Sequence, residues 1–344
     1  MKIFIVGDVG WDTYLIGKVR GLSAEAPIPV VDVTQPETLP GMAGNVLANV
    51  RALGIDAEVL QPEGQNFPWK FRLVTPEGHQ MARFDFQDFC KPLQRADLLP
   101  LMDADAVIVA DYGKGAIDST ITSILAGMQA PLFVDTKRDP SPWLQSNAIL
   151  FPNQTEWDKY QDKYEWFPRV VLKQGSQGMS FVEYGKVVTT RSAWAKQVQC
   201  VNGAGDTVIA AFATAYLGLQ SSIQHCLDVA SAAAALVVEQ DFLHRTTTGD
   251  KIYRRITHEV PEKAYRPDQT PSRSMPTISH AWQLGVASSL PQQAVGEGRG
   301  PYRGTSPVGN TGYSNAQFGP TVGLPEDYWD KLEKSLEDQF KWQD

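Results

Sequence analysis

Short apolar runs that each close on a carboxylate set the rhythm of the first half of the chain. "KIFIVGD" (Lys2–Asp8) ends in Gly7-Asp8, "ADAVIVAD" (Ala104–Asp111) ends in Asp111, and "APLFVDTK" (Ala130–Lys137) breaks at Asp135. Apolar runs without alternation read as strands buried on both faces, the pattern of a parallel sheet. "AILFPNQTEW" (Ala148–Trp157) is a fourth such run, broken at Pro152, and "RVVLKQGSQGMSFVEYGKVV" (Arg169–Val188) predicts strand, glycine turn, strand and hairpin. Between them, "GNVLANVRALG" (Gly44–Gly54) and "STITSILAGMQ" (Ser119–Gln129) predict helices. Alternating strands and helices predict a layered α/β fold. Ligands in such folds collect at the carboxyl ends of the strands, where these acids fall.

Two segments follow another rule. "YLIGKVRGLSAEAPIPVVDVTQPETL" (Tyr14–Leu39) and "KFRLVTPEGHQMARFDFQDF" (Lys70–Phe89) alternate apolar and polar residues between turns. They predict β-structure outside the main sheet, a small lid, which must bury one face elsewhere; a homodimer formed through the lid is the expected arrangement. From about Asp268 the chain turns to Pro, Gly, Ser and Asn without a period, so residues 1–262 are expected to form the body and 263–344 an irregular tail. The tail ends in a predicted amphipathic helix at 325–342, with Trp329, Leu332, Leu336 and Phe340 on one face and Pro325 in its first turn. That helix is expected to dock on the body, or alternatively on a partner.

Composition narrows the classes. The chain has 344 residues, 42% hydrophobic and 20% charged, an ordinary globular make-up. A net charge of -8 argues against nucleic-acid binding, which needs clustered Lys and Arg. Cys90, Cys200 and Cys226 are scattered and form no CxxC pair, as expected of free thiols in a reducing compartment. The histidines form no HExxH or HxH pair, so no zinc site is expected. No apolar run is long enough to span a bilayer, and "MKIFIVGDVG" does not read as a leader, so no membrane partner and a cytoplasmic location are expected.

The densest chemistry lies in "CVNGAGDTVIAAF" (Cys200–Phe212). Gly203 and Gly205 permit a tight loop that aims backbone N–H groups outward at the start of a helix, and the helix dipole adds positive potential there. Asp206 follows in the first helical turn. An anion cradle beside a carboxylate suits phosphoryl transfer: the amides hold developing charge and the acid takes a proton from the attacking hydroxyl. The same residues also describe an ordinary helix start capped by an aspartate, and the spacing alone does not choose.

An ordered set of motifs does choose. "GDVGWDTY", "LSAEAPIPVVDV", "LPGMAGNVLANVRALG", "ADYGKGAI", "VDTK", "FPNQTEW", "KQGSQGMSF" and "VNGAGDTVIAAFATAY" follow one another from Lys2 to about Arg245. In that order they resemble the ribokinase-like (PfkB-type) carbohydrate kinases, and within them the D-glycero-β-D-manno-heptose-7-phosphate kinase branch. The resemblance implies a ribokinase-like α/β/α fold with a mainly parallel sheet and a β lid, here shortened. It implies phosphorylation of a sugar hydroxyl, on a heptose phosphate or related sugar phosphate, with ATP and Mg²⁺. It makes Asp206 the base and Gly203, Ala204 and Gly205 the anion hole. Asp8, Asp12, Gly41 and Asn45 match positions that hold sugar hydroxyls, and Asp111 and Lys114 face the same cleft. Asn153 and Glu156 would order Mg²⁺ through water, in keeping with its few protein ligands. Lys137, Lys173, Gly175, Gly178 and Ser231 go to the nucleotide. For Asp8 and Asp111, capping of the turn after a strand is the other reading.

The departures are specific. Cys200 and Asn202 stand at the family's Asp and Thr before the GAGD loop, Met42 at the second glycine of a GG pair, and Lys173 where Thr is common. "EQDFLHRTTTG" (Glu239–Gly249) replaces a Gly-rich turn, and longer passages shrink to "LQPEGQNFPW" (Leu60–Trp69) and "DKYQDKYEWFP" (Asp158–Pro168). The sheet should therefore lack covering elements, and the tail or a partner chain is expected to cover it. These departures also motivate two other readings: a kinase-fold protein that binds or interacts without catalysing, and a kinase for another sugar or a nucleoside.

Overall fold

The computed structural model describes residues 1–62, 67–86, 89–218 and 222–258. The tail at 263–344 and its helix at 325–342 lie outside these residues. Along the chain run β1 (Lys2–Gly7), β2 (Val9–Leu22), β3 (Pro29–Met42), α1 (Ala43–Ala52), β4 (Asp56–Leu60), β5 (Trp69–Val74), β6 (Gln80–Phe86), and β7 (Ala106–Asp111). There follow α2 (Ser119–Ala126), β8 (Leu132–Thr136), β9 (Ile149–Leu150), α3 (Gln154–Lys159), α4 (Gln161–Tyr164) and β10 (Val170–Lys173). The series closes with β11 (Met179–Glu183), β12 (Lys186–Arg191), α5 (Ala204–Gly218), α6 (Ile223–Val238) and α7 (Gly249–His258).

The main sheet has the strand order β12-β11-β10-β9-β8-β7-β1-β4. Strands β4, β1, β7, β8, β9 and β10 pair in parallel, and β11 and β12 add an antiparallel edge. The unbroken apolar run of β1 explains its central place. Ile3 and Ile5 enter one core with Val46, Val50 and Phe212, while Phe4 and Val6 enter the other with Leu98, Leu101 and Ile121. Helices α1, α5 and α6 cover the first face. Buried Phe133, Phe151 and Phe212 pack there with ring centroids 5.3 to 6.4 Å apart, each such burial contributing about 1.5–3 kcal/mol.

The lid has the order β3-β2-β5-β6. It starts earlier than its alternation predicted, because β2 leaves the sheet at Val9, directly after Asp8, and pairs Val9 with Met42. Residues Val9–Tyr14 are all buried, so the period of two is hidden in that stretch. Asp12 and Gly41 consequently belong to lid strands.

The shortened passages are absorbed locally. β4 is left as a sheet edge, but Leu98 and Leu101 of a 3-10 helix (Arg95–Asp103) pack with Phe4, Val6 and Leu60 beside it. At this corner the body supplies a cover of its own. Trp157 of α3 stacks on Tyr164 of α4 at 5.4 Å, filling the place of the shortened helix.

Candidate active site

The loop into α5 turns at Gly203, whose φ of 83° is in the left-handed region that favours glycine. A Cβ there would lie 2.8 Å from Asn45 Nδ2, so the loop can approach α1 only without a side chain. Ala204 N donates to the Val201 carbonyl at 3.3 Å, while the following first-turn amides, those of Gly205 and Asp206, have no intrahelical acceptor. The Asp206 carboxylate is buried, 8% exposed, with one oxygen on each of two donors. Asn45 Nδ2 donates to Oδ2 at 2.7 Å, and the Tyr112 hydroxyl donates to Oδ1. Asn45 is itself placed by a polar seam between α1 and α5: Asn49 Nδ2 donates to the Asn45 carbonyl at 2.9 Å, and Thr207 Oγ1 donates to Asn49 Oδ1 at 3.0 Å. Burial pushes Asp206 above the usual carboxylate range, while the hydrogen bonds from Asn45 and Tyr112 pull it back. A carboxylate so held has the properties of a general base.

On one side of Asp206 opens a cleft of about 510 Å³, the size of a small-ligand site. Lys137, Asn153, Lys173, Gly175, Gly178 and Ser231 all line it, together with Gly203, Ala204, Gly205 and Asp206 itself. Its apolar lining includes Ala235 and Val238, against which Trp194 and Ala204 pack. Ser231 Oγ is buried and has no hydrogen-bond partner among the described residues. Two lysines converge on Asp135 at the end of β8: Lys137 Nζ at 2.9 Å from Oδ1, and Lys173 Nζ against Oδ2. Lys137 also meets Glu156 at 2.7 Å. Burial works against the Asp135 charge, but Lys173 and Lys137 outweigh it and hold its pKa down. Burial likewise opposes the Lys137 charge, but Asp135 and Glu156 outweigh it and raise its pKa. Lys173 Nζ lies 3.6 Å from the position a Gly205 Cβ would take, so its charge borders the amide loop.

Asn153 and Glu156 form a reciprocal cap on α3. Asn153 N donates to Glu156 Oε2 at 2.9 Å, and Glu156 N donates to Asn153 Oδ1 at 2.9 Å. Among the described residues, no group of three His, Cys, Asp or Glu could cage a metal. Asn153 at the cleft, backed by the Glu156 carboxylate that it and Lys137 hold, fits Mg²⁺ held mainly by phosphates and water.

On the other side of Asp206 the lid brings up a cluster of charge. Asp12 of β2 meets Arg72 NH1 of β5 at 2.6 Å and Arg245 NH1, from the segment after α6, at 2.7 Å. Gly41 faces this pair: a Cβ there would sit 3.0 Å from Asp12 Oδ2. Lys70 of β5 is half-buried, has no carboxylate within 4 Å among the described residues, and lies with Arg72, Arg83 and Lys114 in reach of its charge. Burial lowers its pKa first of all.

The remaining expected residues sit behind the site. Asp8 is fully buried and accepts backbone N–H groups from Tyr112, Lys114 and Ala116, which is turn capping after a strand. Lys114 enters that arrangement through its backbone. Asp111 is bound by Thr136, by Arg138 and by the Gly113 amide, the same kind of task. Met42 takes φ 54°, the left-handed conformation that its family glycine would adopt without strain, and its side chain is buried against Gly10. Cys200 packs with Tyr14 and Phe242 at the lid base. Sequence reasoning missed Tyr112, Lys70, Arg72 and Arg245. Tyr112 stood inside the quoted "ADYGKGAI", and Lys70 and Arg72 share one face of a strand by period two, but Arg245 lies in an unfamiliar segment with no periodic signal.

The family pattern described as pfkB family carbohydrate kinase matches residues 44–243. The Bifunctional protein HldE of Coxiella burnetii is 29% identical over 307 residues, which cover 75% of this chain and 64% of that protein. The Bifunctional protein HldE of Vibrio cholerae is 30% identical, over 69% of this chain and 60% of its own length. The chain therefore spans less than two thirds of these relatives. Among solved structures, Arabidopsis thaliana ribokinase complexed with ribose and ATP superposes with a TM-score of 0.61 at 19% identity, covering 74% of this chain and 98% of that one. The microbiome-derived acarbose kinase Mak1 superposes with a TM-score of 0.61 at 17% identity, over 74% of this chain and 98% of its own. These likenesses show the ribokinase-like fold.

Proposed function

We propose that this chain, which belongs to the pfkB family of carbohydrate kinases, transfers the γ-phosphoryl group of ATP to a hydroxyl of a phosphorylated sugar, a heptose phosphate or a close analogue. The observation that carries the reading is the buried Asp206 at an amide loop that lines a nucleotide-sized cleft. The acceptor hydroxyl gives its proton to Asp206 as its oxygen bonds to the γ-phosphorus, and the bond from that phosphorus to the bridging oxygen breaks to leave ADP. The Gly203–Gly205 amides and Lys173 face the charge that spreads over the transferring group. Asn153 and Glu156 would order Mg²⁺ through water, and the ion supplies neutralisation of the phosphate oxygens. The heptose assignment comes from the motif resemblance and from the HldE relatives.

Lys70, which has no carboxylate within 4 Å among the described residues, favours an acceptor that already carries a phosphate, since a cation at a sugar site matches an anionic substituent. The test is ADP release across a panel of heptose, hexose and pentose phosphates and their free sugars. The reading expects kcat/KM for the best phosphorylated acceptor to exceed that for its free sugar by about 100-fold or more, through charge-assisted contacts. Equal use of free sugars would remove the phosphate from the proposal.

Met42, held at φ 54° where the family has a glycine, and Cys200, packed with Tyr14 and Phe242 before the loop, support a second reading, a protein that binds its sugar without phosphorylating it. ATP binding without turnover of any acceptor would select it.

A further inference from the structure

The loop that follows β7 is held by two carboxylates, Asp111 taking the Gly113 amide at 3.1 Å and Asp8 taking three others. Asp8 Oδ2 accepts from Tyr112 N at 2.8 Å and from Lys114 N at 3.0 Å, and Oδ1 accepts from Ala116 N at 2.9 Å. Asp8 is fixed in turn, its own N donating to the Ala110 carbonyl at 3.0 Å and its carbonyl accepting from Ala43 N at 2.9 Å. The Tyr112 side chain leaves this loop and reaches the base, where its hydroxyl donates to Asp206 Oδ1. Two ammonium groups accompany the ring. Lys70 from the lid lies 5.8 Å from its centroid, and Lys137 from the end of β8 lies 5.3 Å from it. The ring thus stands between the cation of the acceptor side and the cation of the phosphate side.

We propose that Tyr112 is the positioning residue of the base: its phenol fixes one Asp206 oxygen while Asn45 fixes the other, and Asp8 holds Tyr112 in place to do so. This rests on Asp206 acting as the base. Each carboxylate oxygen accepts one bond from the protein and keeps a second lone pair, so the acceptor hydroxyl meets a carboxylate that cannot rotate. Burial, then the nearby Asp206 and Asp135 charges, push the Tyr112 phenol well above its ordinary value, so it stays a donor over the working range. The charged groups around Asp206 besides these donors are Asp135 of β8, which raises it, and Lys173 of β10, which lowers it. Both remain in place when Tyr112 is altered.

The test is Tyr112→Phe, which deletes the hydroxyl and keeps the ring. The carbon-13 shift of the Asp206 carboxyl is titrated in both proteins, ADP affinity is measured by calorimetry, and kcat/KM is followed against pH. The proposal expects the Asp206 midpoint and the acid limb of kcat/KM to move to higher pH together. It expects kcat to fall by about tenfold or more while ADP affinity stays within about twofold of wild type. Superimposable Asp206 titrations would overturn it. Should Tyr112→Phe fail to fold, Asp8→Asn decides: it leaves the phenol but loosens the loop, and the Asp206 midpoint must move in the same direction. If wild type turns over no acceptor, the kinase reading falls, while the carboxyl titration still decides whether Tyr112 acts on Asp206.

Discussion

Asp12 joins three separate parts of the chain, and replacing it by asparagine should loosen all of them. The carboxylate sits on lid strand β2, Arg72 on lid strand β5, and Arg245 on the body after α6, where its NH2 also donates to the Pro40 carbonyl at 2.9 Å. The side chains of Asp12, Arg72 and Arg245 are 8%, 10% and 5% exposed, so water replaces little of what is lost. Asp12→Asn keeps the shape but leaves two buried guanidiniums against a neutral amide, and removing one partner of a buried pair costs about 3–5 kcal/mol. At about 2–4 °C per kcal/mol for a body of this size, the melting temperature should fall by about 6–20 °C. Circular dichroism melts at pH 7 in low and high salt provide the assay, and the deficit should persist in salt because buried pairs are poorly screened. The pH dependence has a definite sign. Burial opposes the Asp12 charge, but Arg245 and Arg72 outweigh it, so its folded pKa lies below the unfolded value. Its contribution is therefore present above the unfolded pKa and is lost as pH falls through the folded one, so wild type and variant should converge in acid. A variant melting within about 2 °C of wild type at pH 7 would show that the triad holds nothing together.

Three other outcomes follow from the same geometry, beside that for Tyr112. Asp206 has its pKa raised by burial, so its ionised form opposes folding above its folded pKa; Asp206→Asn should melt at or above wild type, and a large loss of stability would contradict the assigned burial cost. Lys173→Met removes the cation beside Gly205 and should lower kcat by about 100-fold, as loss of a transition-state charge contact does, with ADP affinity measured alongside; an unchanged kcat would confine Lys173 to holding Asp135. The lid exposes Val19, Leu22, Ile28 and Val33, and sedimentation should find a dimer that Leu22→Glu with Val33→Glu converts to monomer; monomeric wild type would end that expectation.

The parallel sheet was legible because burial on both faces leaves an unbroken apolar run, as in β1 and β7, and because the runs of β1, β7 and β8 reached an acid at Asp8, Asp111 and Asp135. What those acids do was less legible. Asp8 and Asp206 look alike in sequence, each following a glycine, yet one caps a loop and the other faces the cleft. Which oxygen meets which donor depends on contacts across more than a hundred residues, as between Tyr112 and Asp8. The lid strands were legible only where one face was exposed, so Val9–Thr13 escaped notice. Arg245 carried no signal at all, since a single charge in a turn predicts a solvated side chain until tertiary packing buries it.

The central claim is that Asp206 takes the proton from a sugar-phosphate hydroxyl. Phosphorus-31 NMR of wild type and Asp206→Asn, each with ATP, Mg²⁺ and the best phosphorylated acceptor, tests it most directly. The account predicts ADP and a doubly phosphorylated sugar in equal amounts from wild type, and a rate lower by about 100- to 10,000-fold from a variant that still binds ADP. Equal rates from the two proteins would contradict it.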